Sequence, residues 1–177
     1  MSYLKQCVKR AKGFTLIELI VVIGIIGVLA TMSIGSYTSV QRNARNAKRK
    51  ADMKTLRAAL EEYNVKYGSY PNPGWQWMSS EPGDYANYNG GNYIPGLSPE
   101  FIDVLPRDPK GGQSTIQPTC GAWRSAYLYL SNGTDYKLLS HCAPEGNPFD
   151  SKDPFYDPNR GNYTWQVSSS TTSRTGW

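Results

Sequence analysis

A chain of 177 residues accommodates one globular domain and an appendage, which excludes a large multidomain enzyme. The net charge of +5 does not indicate a uniformly basic, nucleic-acid-binding surface, because the charges are unevenly distributed. Residues 1–13 carry four positive charges and no negative one, residues 14–57 carry a net +5, and residues 58–177 carry a net −4. A basic amino-terminal part is therefore followed by a mildly acidic head.

The first element after residues 1–13 is an apolar run, residues 14–34, with Glu18 as its single charge. As an α-helix it covers about 31 Å, the thickness of a membrane's hydrocarbon core. A cleaved secretory signal, ending near Ala30, is disfavoured by the length of the run and by the glutamate. A plain membrane anchor fits the length but does not explain Glu18, because a charge in hydrocarbon is costly and usually functional.

The stretch from Lys12 to Ile20 reads KGFTLIELI and resembles the amino-terminal signal of type IV prepilins and pseudopilins. This resemblance implies that a prepilin peptidase removes residues 1–13 by cutting after Gly13, and that the new first residue, Phe14, is N-methylated. It also implies that the mature chain joins other pilins in a filament, built by an assembly platform and its motor.

Glu18 has a specific role in this interpretation. Cleavage leaves an α-amine on Phe14, about 6 Å along the helix from Glu18. The resemblance implies that Glu18 pairs with the amine of a neighbouring subunit during assembly, which offsets the burial of both charges.

From Gln41 to Tyr67 the sequence predicts a continuation of the same helix, amphipathic and ending before Gly68. Its apolar stripe, predicted to pack on a sheet, consists of Met53, Leu56, Leu60, Tyr63 and Tyr67. A basic strip on the same segment consists of Arg42, Arg45, Lys48, Arg49, Lys50, Lys54 and Arg57. We interpret this basic strip as solvated or in contact with lipid headgroups. Binding of nucleic acid is less favoured, because no aromatic residues are interleaved with the basic ones.

Residues 68–177 are predicted to form the head. A loop rich in Gly, Pro, Asn and Tyr (residues 68–96) carries Trp75 and Trp77, which either pack on the sheet or form an adhesive surface. A β-hairpin is predicted from Ala126–Leu130 and Tyr136–Ser140, and a third strand from Tyr163–Ser168. The predicted fold class is α+β, with a long amino-terminal helix packed on a small antiparallel sheet.

The chain has three cysteines, of which Cys7 lies in the leader, the residues 1–13 that the resemblance implies are removed. Cys120 and Cys142 flank the hairpin, whose turn places residue 142 opposite about residue 123. We therefore predict a disulfide between Cys120 and Cys142, which closes a 22-residue separation and contributes about 3 kcal/mol.

The acidic tail contains Asp150, Asp153 and Asp157, and related pseudopilins bind calcium in a carboxy-terminal loop. No EF-hand pattern is present, so we expect no metal and no cofactor. The lone His141 has no catalytic partner in the sequence and no phosphate-binding loop is found, so we expect no enzyme activity.

The sequence thus predicts a structural subunit of a type IV pilus-like filament, with a single membrane pass before assembly and a cell-surface location afterwards. The aromatic loop and the acidic tail favour a pilus over the alternative, a pseudopilin of a type II-like secretion system. A membrane-tethered binding module that never polymerises is the second alternative, and it requires neither the Gly13–Phe14 junction nor Glu18.

Overall fold

The computed structural model describes residues 13–83, 86–113, 120, 123–146, 149–161 and 163–177, with the backbone alone for residues 32–36. Residues 1–12, which hold most of the predicted leader and Cys7, lie outside this part of the chain. The chain divides into two compact units, Met1–Val40 and Gln41–Trp177.

Helix α1 spans Leu16–Tyr67, which confirms the predicted continuous helix. A capping box begins it: the Glu18 carboxylate accepts a hydrogen bond from the Thr15 backbone N–H (2.8 Å), and the Glu18 N–H donates to Thr15 Oγ1 (3.3 Å). Gly68 ends it in the left-handed region, with φ +73°, and its N–H donates to the Asn64 carbonyl at 2.8 Å.

The head contains a five-stranded sheet and a short helix. The strands are β1 (Met78–Ser79), β2 (Asn87–Tyr88), β3 (Ala126–Ser131), β4 (Tyr136–His141) and β5 (Thr164–Ser168), followed by α2 (Thr171–Gly176). Their order in the sheet is β2-β1-β3-β4-β5. The pair β1–β2 is parallel and the other pairs are antiparallel, so the sheet is mixed rather than antiparallel as predicted.

The hairpin of β3 and β4 confirms the predicted turn at Asn132 and Gly133. Asn132 Oδ1 accepts hydrogen bonds from the backbone N–H groups of Thr134 (2.9 Å) and Asp135 (2.7 Å). Gly133 has φ +91°, a conformation that costs little only for glycine. Ser131 pairs with Tyr136 and Ala126 with His141, which makes each strand one residue longer than predicted.

The core lies between the second half of α1 and one face of this sheet. Met53, Leu56 and Leu60 are fully buried, and Tyr63 packs against the same cluster, as the apolar stripe predicts. The residues of the sheet in this cluster are Tyr127, Tyr129, Tyr136, Leu138 and Trp165. Tyr67, the last residue of the stripe, is half exposed and contacts the rings of Tyr63 and Phe101.

Candidate functional site

The first half of α1 presents a continuous apolar surface. Its large side chains are exposed in the single chain, from 45% at Val22 to 76% at Leu16, and Phe14, just before the helix, is 87% exposed. Apolar surface of this extent is a site for a partner or a lipid phase, because its exposure to water is unfavourable. Among the described residues, the structure contains no helix that is long and apolar enough to cross a membrane.

Gly13, Phe14 and Glu18 lie together at the start of this surface. Gly13 and Phe14 precede the helix and have no regular secondary structure, and nothing lies within 4 Å of a Cβ built on Gly13. Glu18 is held by Thr15, whose Oγ1 also donates to the Glu18 carboxylate at 2.8 Å. This capping box is a contact that the sequence interpretation missed, although the T-x-x-E spacing before an apolar run is its usual signature.

The basic strip of α1 is bound to the head through a buried ion network. Arg49 is fully buried and donates from Nε and Nη2 to the two carboxylate oxygens of Asp108, at 2.6 and 3.1 Å. Its Nη1 donates to Glu145 Oε1 at 3.0 Å and to Asn46 Oδ1 at 2.9 Å. The Asp108 side chain is also fully buried, so this fork-shaped pair fixes α1 against a loop 59 residues away in the sequence.

The Glu145 carboxylate pairs with three cations in this network: Arg45, Arg49 and Lys110. Arg45 donates two hydrogen bonds of 2.6 Å to its carboxylate, and Lys110 Nζ lies 3.3 Å from Oε2. The Asn46 amide donates to the Glu145 carbonyl and accepts from its N–H, at 2.9 and 3.0 Å. Burial opposes ionisation of this carboxyl, but the hydrogen bonds from Arg45 and Arg49 outweigh it and lower the pKa of Glu145 to about 2.

These contacts change the interpretation of the basic strip. Lys48 pairs with Asp52 at 3.1 Å, and Lys50 pairs with Asp153 while lying 4.5 Å from the ring centre of Trp165. Together with Arg45 and Arg49, four of the seven basic side chains are neutralised by carboxylates of the chain itself. The predicted solvated strip is therefore wrong for Arg49, which is fully buried, whereas Arg45 and Lys50 are half-buried and Lys48 stays exposed. Because four of the cations are paired within the chain, the charge left for nucleic acid or lipid headgroups is smaller than the sequence indicates.

The carboxylates of the acidic tail are also engaged within the chain. The buried Asp157 carboxylate lies 3.5 Å from the ammonium of Lys137, which is also buried, and 3.5 Å from the guanidinium of Arg160. Asp153 forms an ion pair with Lys50. Burial lowers the pKa of Lys137 to about 8, although Asp157 opposes this shift. In the described part of the chain, these aspartates do not form a group with calcium-ligand geometry.

Part of the aromatic loop packs on the head. Tyr93 and Ile94 are fully buried, and Trp77 packs on the second sheet face, formed by Ala126, Leu128 and Leu139. Trp75 is 53% exposed and meets Trp177 edge to face at 4.7 Å. The loop also supplies β1 and β2, so these segments serve the fold rather than an adhesive surface.

The structure joins Cys120 and Cys142 in a disulfide, the pair predicted from the sequence, with Cα atoms 5.8 Å apart. The β3–β4 register places Cys142 opposite Ser125 rather than residue 123, and Ser125 Oγ donates to the Cys142 carbonyl at 3.3 Å. His141 lies beside this disulfide, at the end of β4, and is 1% exposed.

Two family profiles match the chain in tandem. The profile of the prokaryotic N-terminal methylation motif matches residues 8–34, and that of type II secretion system protein G matches residues 36–153. Neither the curated proteins nor the solved structures contain a match. The second profile covers two thirds of the chain and includes the buried ion network and the hairpin. The chain therefore belongs to the type II secretion system protein G family of type IV pilin-like proteins and is a filament subunit of the pilus or secretion kind.

Proposed function

We propose that this protein is the structural subunit of a type IV pilus-like extracellular filament, built by packing of the apolar halves of α1. The exposed apolar surface behind the Gly13–Phe14 junction is the observation that carries the proposal. Before assembly this half lies in the membrane as a single pass, and after assembly it lies in the filament core. A subunit that never polymerised would leave this surface without its partner helices.

In this proposal a prepilin peptidase cuts after Gly13 and the Phe14 amine is methylated. Gly13 lies outside the helix and is open to approach in the described structure, which suits entry into a peptidase cleft. An incoming subunit then brings its amine to Glu18 of a subunit already in the filament. The pairing compensates two charges in an apolar core and sets the axial register of the helices.

A second candidate is a pseudopilin that acts in protein secretion, and the match of residues 36–153 to protein G favours it. The acidic tail no longer argues for a pilus, because Asp153 and Asp157 are neutralised by cations of the chain itself. The exposed Trp75 remains an argument for surface contacts of a pilus. Deleting the gene separates the two: loss of surface filaments with normal protein secretion indicates a pilus, and loss of secretion without loss of surface filaments indicates a pseudopilus.

A test of the assembly role of Glu18 requires variants that separate its charge from its capping contact. Glu18→Ala removes both, whereas Glu18→Gln keeps a side chain that can complete a capping box and removes only the charge. Thr15→Ala is the matched control, because it breaks the box and keeps the carboxylate. We expect few or no filaments with Glu18→Ala and Glu18→Gln, and near-normal numbers with Thr15→Ala.

Filaments are counted by electron microscopy in cells that express only the variant, and processing is read from the mass of the membrane-bound subunit. Cleavage after Gly13 should proceed in all three variants, because that step takes place in the leader. Normal filament numbers with Glu18→Gln would show that capping, and not the charge, is the function of Glu18.

Cleavage itself has a separate test. Gly13→Ala should leave the uncut precursor in the membrane, while the wild-type chain should begin at a Phe14 that is heavier by one methyl group. Filament subunits that retain Met1, or that begin near Thr31, would refute the processing proposal.

A further inference from the structure

A cluster of three metal-ligating side chains lies where β4 ends. Cys120, His141 and Cys142 are all buried, with at most 2% exposure, and their sulfur and imidazole nitrogen atoms lie within 4.8 Å of one another. Among the described residues, this is the group in which three such ligands converge. Neither the filament proposal nor the buried ion network uses it.

The backbone of Cys142 brings two consecutive side chains to the same point. In a regular strand neighbouring residues point to opposite faces, which would separate His141 from Cys142. Cys142 instead has φ +53°, in the left-handed region that residues other than glycine seldom adopt. With this conformation Cys142 Sγ lies 3.7 Å from His141 Nε2. Strained backbone of this kind is found preferentially at functional sites.

Aromatic rings fix the orientation of the imidazole. The ring of Trp123 lies 5.4 Å from that of His141 on centroids, and the ring of Tyr163 lies 5.8 Å away in an edge contact. A buried imidazole with fixed neighbours loses little freedom when it binds a ligand, which favours binding.

We propose that in the reduced chain Cys120, His141 and Cys142 bind one thiophilic divalent cation of the Zn²⁺ class. Thiolate sulfur and imidazole nitrogen are preferred Zn²⁺ ligands, at about 2.3 and 2.0–2.1 Å from the metal, and tetrahedral geometry then separates the ligand atoms by about 3.5 Å. The observed 3.7 Å between Sγ and Nε2 fits this spacing. The fourth position goes to water.

The cluster then has two states, a metal-bound dithiolate and the disulfide. On oxidation the two thiolates form the S–S bond and pass two electrons to an external disulfide. That disulfide breaks into two thiols, which take up two protons, and the cation is released. In the metal-bound state the cation holds the end of β4 to Cys120 before the covalent bond does so.

Cobalt titration of the full chain tests this proposal. The chain carries Cys7→Ser, so that Cys120 and Cys142 are its only thiols, and is kept in mild detergent. It is reduced, freed of reductant without oxygen, and titrated with Co²⁺. We expect a thiolate-to-cobalt charge-transfer band that saturates at one equivalent and disappears when Zn²⁺ is added. The oxidised chain should give no such band.

His141→Gln is the discriminating variant, because it keeps both cysteines and the disulfide. Its Co²⁺ affinity should fall at least about tenfold, since even an outer-shell partner of a metal ligand contributes about 10–100-fold. Circular dichroism of the oxidised variant checks its fold. The proposal is overturned by an absent band in the reduced chain, by unchanged affinity in His141→Gln, or by equal binding to the oxidised chain. If the reduced chain unfolds, Co²⁺ should restore its fold together with the band, and failure to do so also overturns the proposal.

Discussion

Removing the guanidinium of Arg49 should destabilise the head more than any change on the solvent face of α1. The variant Arg49→Met keeps the aliphatic stem and helix propensity and deletes only the charged group. Asp108 is then left as a fully buried carboxylate without its cation, whereas Glu145 keeps Arg45 and Lys110. The variant therefore leaves one buried carboxylate, that of Asp108, without a compensating cation.

The magnitude follows from the burial of both partners. Both side chains of the pair are 0% exposed and joined by hydrogen bonds of 2.6 and 3.1 Å, so solvent screens them little. Removal of one partner of such a pair typically costs about 3–5 kcal/mol, because the other charge stays buried without compensation. The double variant Arg49→Met with Asp108→Leu removes that charge and should recover about 1–3 kcal/mol relative to the sum of the single changes. Full recovery is not expected, because Asp108 also accepts the Lys110 N–H at 2.8 Å.

Urea unfolding in mild detergent, followed by tryptophan fluorescence, measures this effect. All five tryptophans lie in the unit Gln41–Trp177, so the signal reports the head. Lys54→Met is the matched control: the side chain lies on the same helix, is exposed, and has no ion-pair partner among the described residues. It should change the free energy of unfolding by less than about 0.5 kcal/mol. An effect of Arg49→Met below about 1 kcal/mol would refute the buried-pair reasoning, since exposed pairs are worth that much.

Three further outcomes are expected. The pKa of Glu145 is lowered to about 2, so its contribution to the free energy of unfolding is fully present above pH ~4.5 and is lost as the pH falls toward 2. Urea unfolding across this pH range should show a loss on the order of 3 kcal/mol, which should be absent in Glu145→Gln. Cys142→Ser should lower the free energy of unfolding by about 3 kcal/mol, and an unchanged urea midpoint would contradict the disulfide's role. Duplex DNA should bind the chain weakly at physiological salt, and Arg42, Lys54 and Arg57 changed together to Gln should remove what binding remains; selective micromolar binding would contradict this expectation.

Local sequence patterns predicted the elements whose signals lie in neighbouring residues. The spacing of Met53, Leu56 and Leu60 specified the buried side of α1, and Asn132-Gly133 specified the hairpin turn. β1 and β2 could not be predicted in this way, because each has only two residues. Such short strands exist through their pairing with distant chain, and a two-residue run carries no periodicity.

The partners of the basic strip could not be predicted from the sequence for a different reason. Arg45 and Arg49 bind Glu145, which lies 100 and 96 residues away in the sequence, and a list of charges does not say which carboxylate a helix meets. Their solvated interpretation rested on the general rule that charged side chains are exposed. The fold overrides that rule where a loop brings a carboxylate to the helix face, as Asp108 does for Arg49.

Arg49 and Glu18, two charges of α1, differ in where their partners lie. Arg49 has both its carboxylate partners, Asp108 and Glu145, within the head, so its variants act on the stability of the single chain. The hydrogen-bond partner that the structure records for Glu18 is Thr15, three residues before it, and the apolar surface around it is exposed. A local cap of this kind can be formed by a neutral glutamine as well, so it gives no reason for a full charge in an apolar run. In the proposed filament, the charge instead pairs with a positive group of a neighbouring subunit. Variants of Glu18 should therefore change filament number while leaving the unfolding of the head unchanged, and variants of Arg49 should lower head stability first and filament number only as a consequence.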